Sequence, residues 1–221
     1  MPIRFLISRQ QYLASGLYIG TKQKTKDMKD FIFEVRPDGV ALFNLKKTDE
    51  RIRMSVKMLL NSKNILVATR KRIGFDALQA FGKITGSRVI TGRFIPGMLT
   101  NPKYEKFYEA DLVFVVDPIT DYRVVEEAIK AQIPIMAVCN SFDETKNIDY
   151  IIPANNSSRK SIATLFWVLA REIAKAKGEI KNDREFKPKV GDFEGAGGSE
   201  EYNEQYEESE EDNENNLIYL I

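Results

Sequence analysis

Residues 111–141 read DLVFVVDPITDYRVVEEAIKAQIPIMAVCNS. The segment opens on an apolar run, LVFVV (112–116), and breaks at Asp117-Pro118. It resumes with Val124, Val125, Ala128 and Ile129 at helical spacing and closes on a second apolar run, PIMAVC (134–139). Strands that are apolar at nearly every position are covered on both faces, and such strands alternating with helices build a parallel sheet. The stretch therefore predicts a strand–helix–strand unit of an α/β protein.

The same beat runs outward in both directions. Upstream, NILVAT (64–69) is a predicted strand, Phe75, Leu78, Phe81 and Ile84 line a helix, and RVI (88–90) is a short strand. Downstream, DYIIP (149–153) suits a fifth strand. Ile162, Leu165, Phe166, Leu169 and Ile173 then form the stripe of a long helix, capped by Ser157 or Ser158 and ended by Gly178. Strand starts fall about 22 to 24 residues apart until the last. Ahead of this core, Ser8 and Gln11 form a capping box for a first helix that Gly16 ends. FIFEVRPDGVALFN (31–44) is a hairpin around Pro37-Asp38-Gly39. Thr48 is the expected N-cap of a helix carrying Ile52, Val56, Leu59 and Leu60. The expected fold is a doubly wound, mostly parallel sheet flanked by helices, flavodoxin-like or Rossmann-like, with an N-terminal helix and β-hairpin. One domain spans 1–190.

Composition narrows the chemistry. Cys139 is the only cysteine and there is no histidine among the 221 residues. No internal disulfide can form, and Ser-His-Asp catalysis, Cys-His catalysis and a usual zinc site are excluded. The longest apolar runs are strand-sized, and MPIRFLISRQQ lacks the apolar core of a signal peptide, so a cytoplasmic protein without a membrane span is expected. The net charge of +1 hides a division. Of the 32 acids, 11 lie in 191–221, where there is no base; the other 21 face all 33 bases in 1–190, a net of +12. A basic body suits a polyanionic partner. Residues 191–221, acidic and of low complexity up to the closing LIYLI (217–221), are expected to be a disordered tail.

Ligands of a doubly wound sheet sit at the carboxyl ends of its strands. TRKRIG (69–74) follows the first core strand and has one glycine, not a dinucleotide fingerprint. Gly82-Lys83-Ile84-Thr85 lacks the glycine spacing of a P-loop. Asp117 and Asp121 after LVFVV are the best catalytic lead, as magnesium ligands of a nucleotide- or magnesium-dependent α/β enzyme. They equally suit a turn residue before proline and the N-cap of the next helix. Cys139 has no base to activate it and reads as packing.

Cations gather in loops instead. Lys22, Lys24, Lys26 and Lys29 crowd GTKQKTKDMKD (20–30). Lys46, Lys47, Arg51 and Arg53 surround the start of the next helix, and Arg70, Lys71 and Arg72 end a strand. Arg93 sits in GRFIPGMLTNP (92–102), too rich in glycine and proline for regular structure, and Arg159 and Lys160 begin the last helix. Such loops can neutralise phosphates of a folded RNA.

Four segments also resemble one family. YLASGLYIGTKQKTKDMKDFIFEVRPDGVALFNLKKTDER (12–51), GRFIPGMLTNP (92–102), DLVFVVDPITDYRVVEEAIKAQIPIMAVCNS (111–141) and DYIIPANNSSRKSIATLFWVLAREI (149–173) are similar to the signatures of small-subunit ribosomal protein S two in its archaeal form. The short PKYEKFYEA (102–110) stands where bacterial members carry a long helical insertion. The chain departs from the family at Tyr18 and Tyr122, where histidine is frequent, and at NNSSRK (155–160), where archaeal members tend to read NNKGRK. The resemblance implies a non-catalytic constituent of the small ribosomal subunit, without cofactor or metal. It implies binding to small-subunit rRNA and to neighbouring ribosomal proteins, ribosomal protein S five among them. On that reading Lys22, Lys24, Lys26, Lys29, Lys46, Lys47, Arg70, Arg72, Arg93, Arg159 and Lys160 contact phosphate. Asn101 and Asn155 hydrogen-bond sugar or backbone.

Overall fold

Every residue of β3 (Ile65–Thr69), β5 (Leu112–Val115) and β6 (Ile135–Cys139) is buried, as expected of strands covered on both faces. A computed structural model describes residues 5–195. The remaining elements are α1 (Arg9–Ser15), β1 (Ile32–Val35), β2 (Ala41–Phe43), α2 (Leu45–Asn61), α3 (Phe75–Thr85), β4 (Arg88–Thr91), α4 (Tyr122–Lys130), β7 (Tyr150–Pro153), α5 (Arg159–Ala176) and α6 (Val190–Glu194). The five core strands are all parallel, in the order β4-β3-β5-β6-β7. The chain steps one way from β3 to β4, then returns across β3 to β5 and continues outward. This is the flavodoxin-like form of the doubly wound sheet, with its switch point between β3 and β5.

Alternate residues of β3 divide between two layers. Ile65 and Val67 join Leu78, Phe81, Phe166 and Leu169 under α2, α3 and α5. Leu66 and Ala68 face Val124 and Ala128 of α4 and the loop residues Phe94, Met98 and Leu99. The second layer thus has a loop where a doubly wound fold usually places a crossover helix. Gly97, at φ 96, turns the loop so that Glu127 of α4 accepts from the backbone N–H of Gly97 and, at 3.1 Å, from that of Leu99. Those bonds hold Met98 and Leu99 against the sheet. The stiff GRFIPGMLTNP segment replaces a helix rather than forming a free flap.

Local rules explain most boundaries. Ser8 and Gln11 make the capping box of α1, and Gly16 ends it in the left-handed region. β1 and β2 pair antiparallel, with Gly39 at φ 88 in their turn. The α2 start differs from expectation. Asn44 caps it, its carbonyl oxygen accepting from the Lys46 N–H at 3.1 Å, and Thr48 lies buried inside the helix. The Thr48 hydroxyl donates to Pro153 O at 3.0 Å instead, tying α2 to β7. Ser158 occupies the N-cap position of α5 without a side-chain cap bond. The folded body also runs past residue 190. Val190–Glu194 is helical and sinks Phe193, 1% exposed, into the core, so residues 191–194 belong to the body rather than to a tail. The expected disorder of the acidic stretch and the LIYLI pentapeptide fall on 196–221, outside the described residues.

Candidate nucleic-acid interface

All five parallel strands deliver their carboxyl ends to one edge of the sheet. Thr69 leads into Arg70-Lys71-Arg72, Thr91 into Gly92-Arg93, and Val115 into the Asp117–Asp121 turn and α4. These three turns enclose a cleft of about 590 Å³ at the switch point. Arg70, Arg72, Arg93 and Arg123 line it, with Phe75 and Tyr122. All four arginines are exposed, and the Arg123 guanidinium lies 5.0 Å from the centre of the Tyr122 ring. Among the described residues, the guanidinium groups of Arg70, Arg72 and Arg123 make no salt bridge. Four guanidinium forks in one concavity match the planar oxygens of phosphates or carboxylates.

Asp121 forms the anionic floor of this cleft. Its carboxylate accepts from the Arg70 N–H at 2.6 Å and the Asp117 N–H at 3.4 Å, clasping the ends of β3 and β5 together. Burial raises its pKa to about 7, against the lowering effect of the Arg70 backbone bond. Asp117 accepts from the Ile119 N–H at 2.9 Å, the Thr120 N–H at 3.3 Å and the Thr120 hydroxyl at 2.8 Å. It also pairs with the ammonium of Lys71. Both aspartates have the turn and cap positions that were the alternative to catalysis. Both carboxylates are taken up by donors of the turn, and among the described residues no cluster of three or more Asp, Glu, His or Cys could hold a metal.

The far end of the same edge is built differently. Asn140, Asp143 and Asn156 are fully buried beyond β6 and β7. Asn156 donates to Asp143 at 2.8 Å, and Asp143 also accepts from the Asn140 N–H at 2.6 Å. Burial lifts the Asp143 pKa to about 6. Over this network the basic loop is fastened down. Thr25 donates its N–H to Ser141 O at 2.9 Å and its hydroxyl to Asp143 O at 3.0 Å, while the Thr21 N–H reaches Ser141 Oγ at 2.8 Å. Lys22, Lys24, Lys26 and Lys29 are thereby displayed, exposed, on the same edge as the arginine cleft.

The other sequence-predicted residues divide. Lys46 and Lys47 are exposed in the first turn of α2, where the Lys47 ammonium donates to Asp30 O. Lys160 is exposed at the start of α5, and the Arg159 guanidinium donates to Glu194 O at 3.4 Å. Asn101 and Asn155 are engaged locally. Asn101 accepts from the Lys103 N–H at 3.1 Å. Asn155 accepts from the Ser157 N–H at 3.0 Å and donates to Gly16 O at 3.2 Å. Arg51, stacked between Phe31 and Tyr150, and Arg53, paired with Asp49, serve the fold. Arg123 is the cleft residue that sequence reading missed. Its signal was its place, in the first turn of the helix that follows the switch-point strand.

Residues 103–176 match the profile of the family described as "Ribosomal protein S2". A "Small ribosomal subunit protein uS2" from Picrophilus torridus is 41% identical over 196 residues, covering 88% of this chain and 98% of its own. Its counterpart in Pyrobaculum calidifontis is 42% identical over 194 residues, 86% and 93% of the two chains. The chain belongs to the ribosomal protein S2 family. A Methanococcus maripaludis uS2, 43% identical over 183 residues, covers 82% of the chain and 83% of its own. The S2 family is a structural, non-enzymatic one, so the enzyme reading of Asp117 and Asp121 falls, in keeping with their engagement in the turn.

Proposed function

We propose that this chain is a structural constituent of the small ribosomal subunit that grips small-subunit rRNA with the carboxyl edge of its sheet. The convergence of Arg70, Arg72, Arg93 and Arg123 in one cleft carries this reading. Phosphate neutralisation with counterion release supplies most of the affinity of such a surface. Lys22, Lys24, Lys26 and Lys29 extend the contact along the edge; Lys46, Lys47, Arg159 and Lys160 serve as outlying phosphate contacts. Asn101 and Asn155 shape the loops that present these cations, and their remaining hydrogen-bonding capacity faces the RNA backbone. Neighbouring ribosomal proteins, ribosomal protein S five among them, dock elsewhere. The outward face of β1, with Phe33 71% and Val35 44% exposed, is suited to such a protein neighbour. The compartment is the cytoplasm, where a lone buried thiol persists reduced. The α/β domain expected over 1–190 acts as one unit, with Val190–Glu194 packed onto it.

Sedimentation tests the reading. A tagged copy should travel with small subunits through a gradient, and charge reversal of the four cleft arginines should shift it to the top fractions. Full retention of the reversed variant after a salt wash would remove the cleft from the RNA contact.

A further inference from the structure

The switch-point cleft is lined by more than cations. Tyr122, 43% exposed, and Pro96, also exposed, stand in its walls. The Arg123 guanidinium lies 5.0 Å from the centre of the Tyr122 ring. An aromatic ring and a guanidinium plane are both surfaces on which a nucleobase stacks. The guanidinium groups of Arg70, Arg72 and Arg123 line the same cleft, exposed and without a salt bridge among the described residues. Arg93 has an interaction of its own within the protein and is not needed. The floor is unlike the rim. Asp121 lies there as a buried carboxylate, 4% exposed, held by the N–H groups of Arg70 and Asp117. The turns after β3 and β5, TRKRIG (69–74) and DPITD (117–121), hold one glycine between them, too few for a phosphate cradle. A buried carboxylate repels a phosphate but not the neutral ring of a base. At about 590 Å³ the cleft is of the size that takes a whole small molecule.

We propose that the cleft takes one unpaired nucleotide of an RNA strand, its base inserted against the Tyr122–Arg123 pair and its flanking phosphates on Arg70, Arg72 and Arg123 at the rim. The proposal rests on the reading of this edge as an RNA contact and names the form of RNA that it takes. A base inside a duplex is already stacked and paired, so it cannot enter; a loop, a bulge or a strand end can. Stacking is open to every base, so the cleft selects an unpaired nucleotide rather than a sequence. The two halves of the contact also respond differently to salt. Guanidinium–phosphate contacts release counterions and weaken as salt rises, whereas stacking carries no such dependence.

The test uses the full chain and three probes: an oligoadenylate strand, an abasic ribose-phosphate strand of the same length, and the oligoadenylate paired with its complement. The two single strands carry the same phosphates. The oligoadenylate should bind about tenfold more tightly than the abasic strand. Tyr122→Ala should remove most of that difference without changing the salt slope, Tyr122→Phe should restore it, and the affinity for the duplex should be the same in all three proteins. Changing Arg70, Arg72 and Arg123 to glutamine should instead lower the slope for both single strands, by about 2. Equal affinity for the two single strands, or a Tyr122→Ala loss shared by the abasic strand and the duplex, overturns the proposal and leaves the RNA reading intact. Adenosine monophosphate should not displace the oligoadenylate at equal nucleotide concentration; displacement would assign the cleft to a free nucleotide and overturn the proposal as well. Failure of all three probes to bind would count against the RNA reading itself, and the proposal would fall with it.

Discussion

The two ends of the sheet's carboxyl edge use charge in opposite ways. Around the switch point, Arg70, Arg72, Arg93 and Arg123 project into a cleft, and the acidic group beneath them, Asp121, is occupied by backbone N–H donors. Beyond β6 and β7, polar groups turn inward. There Asn140 and Asn156 donate to the Asp143 carboxylate under the basic loop, and between the two ends Lys71, which follows β3, reaches Asp117 and Asn156. Arg70, Lys71 and Arg72 are consecutive, yet the middle one is spent on the fold and its neighbours point outward. Cationic residue type therefore says little about RNA contact; whether a buried partner consumes the charge says much more. Burying a charge is costly unless it is paired, so a cation next to a buried carboxylate is committed to it.

The paired and the exposed cations of the edge can be broken separately. The largest loss of stability is expected from Lys71→Met, which strands the Asp117 carboxylate, 2% exposed, without its counter-ion. The cost should be on the order of 3 kcal/mol, the lower end for a broken buried pair because Lys71 is itself 21% exposed. Urea unfolding measures it; RNA affinity per folded molecule should be unchanged. Glu127→Ala should come next, at about 2 kcal/mol, since it leaves the N–H groups of Gly97 and Leu99 without their acceptor. Unlike Lys71→Met it should also loosen the Arg93 loop and weaken RNA binding, which would show that this loop is a positioning element of the cleft.

A smaller effect comes from pH. Asp121 has a pKa near 7 in the folded protein, against 3.8 as its ordinary value. The native state therefore binds a proton more tightly than the unfolded chain. That contribution is complete below about pH 3.8 and is lost as pH rises through about 7. An Asp121→Asn variant lacks this loss. Its melting temperature, compared with that of the parent, should improve steadily from pH 4 to pH 7. A constant difference across that range would place the titration elsewhere. Lowest in rank, Lys160→Ala on exposed α5 should change stability by no more than about 0.5 kcal/mol.

Much of the fold was legible because it follows from local pattern. Strands apolar at every position gave the parallel core, and the Ser8–Gln11 capping box and the Pro37-Asp38-Gly39 turn were read from side-chain chemistry alone. What escaped depended on distant partners. Thr48 suits a cap as well as Asn44 does, but its hydroxyl is claimed by Pro153, 105 residues away. The helix at Val190–Glu194 lies in a run of glycine and acid, where Phe193 finds its place only through α3 and α5. Three cleft arginines were visible as loop cations after strands. Arg123 was not, because in the first turn of a helix it looks like any solvated position. Nor could sequence show that the amides of Asn101 and Asn155 are drawn into their own loops.

The salt dependence of rRNA binding tests the contrast between exposed and buried-paired cations most directly. The logarithm of the binding constant of a small-subunit rRNA transcript should be followed against the logarithm of salt concentration. The parent protein, the variant with Arg70, Arg72, Arg93 and Arg123 changed to glutamine, and Lys71→Met should be compared. Removing one cation from a phosphate lowers the slope by roughly 0.7 to 0.9. The slope of the four-arginine variant should therefore fall by about 3, and Lys71→Met should keep the parent slope while melting earlier. An unaltered slope in the arginine variant, or a reduced one in Lys71→Met, would contradict the assignment of RNA contact to the switch-point cleft.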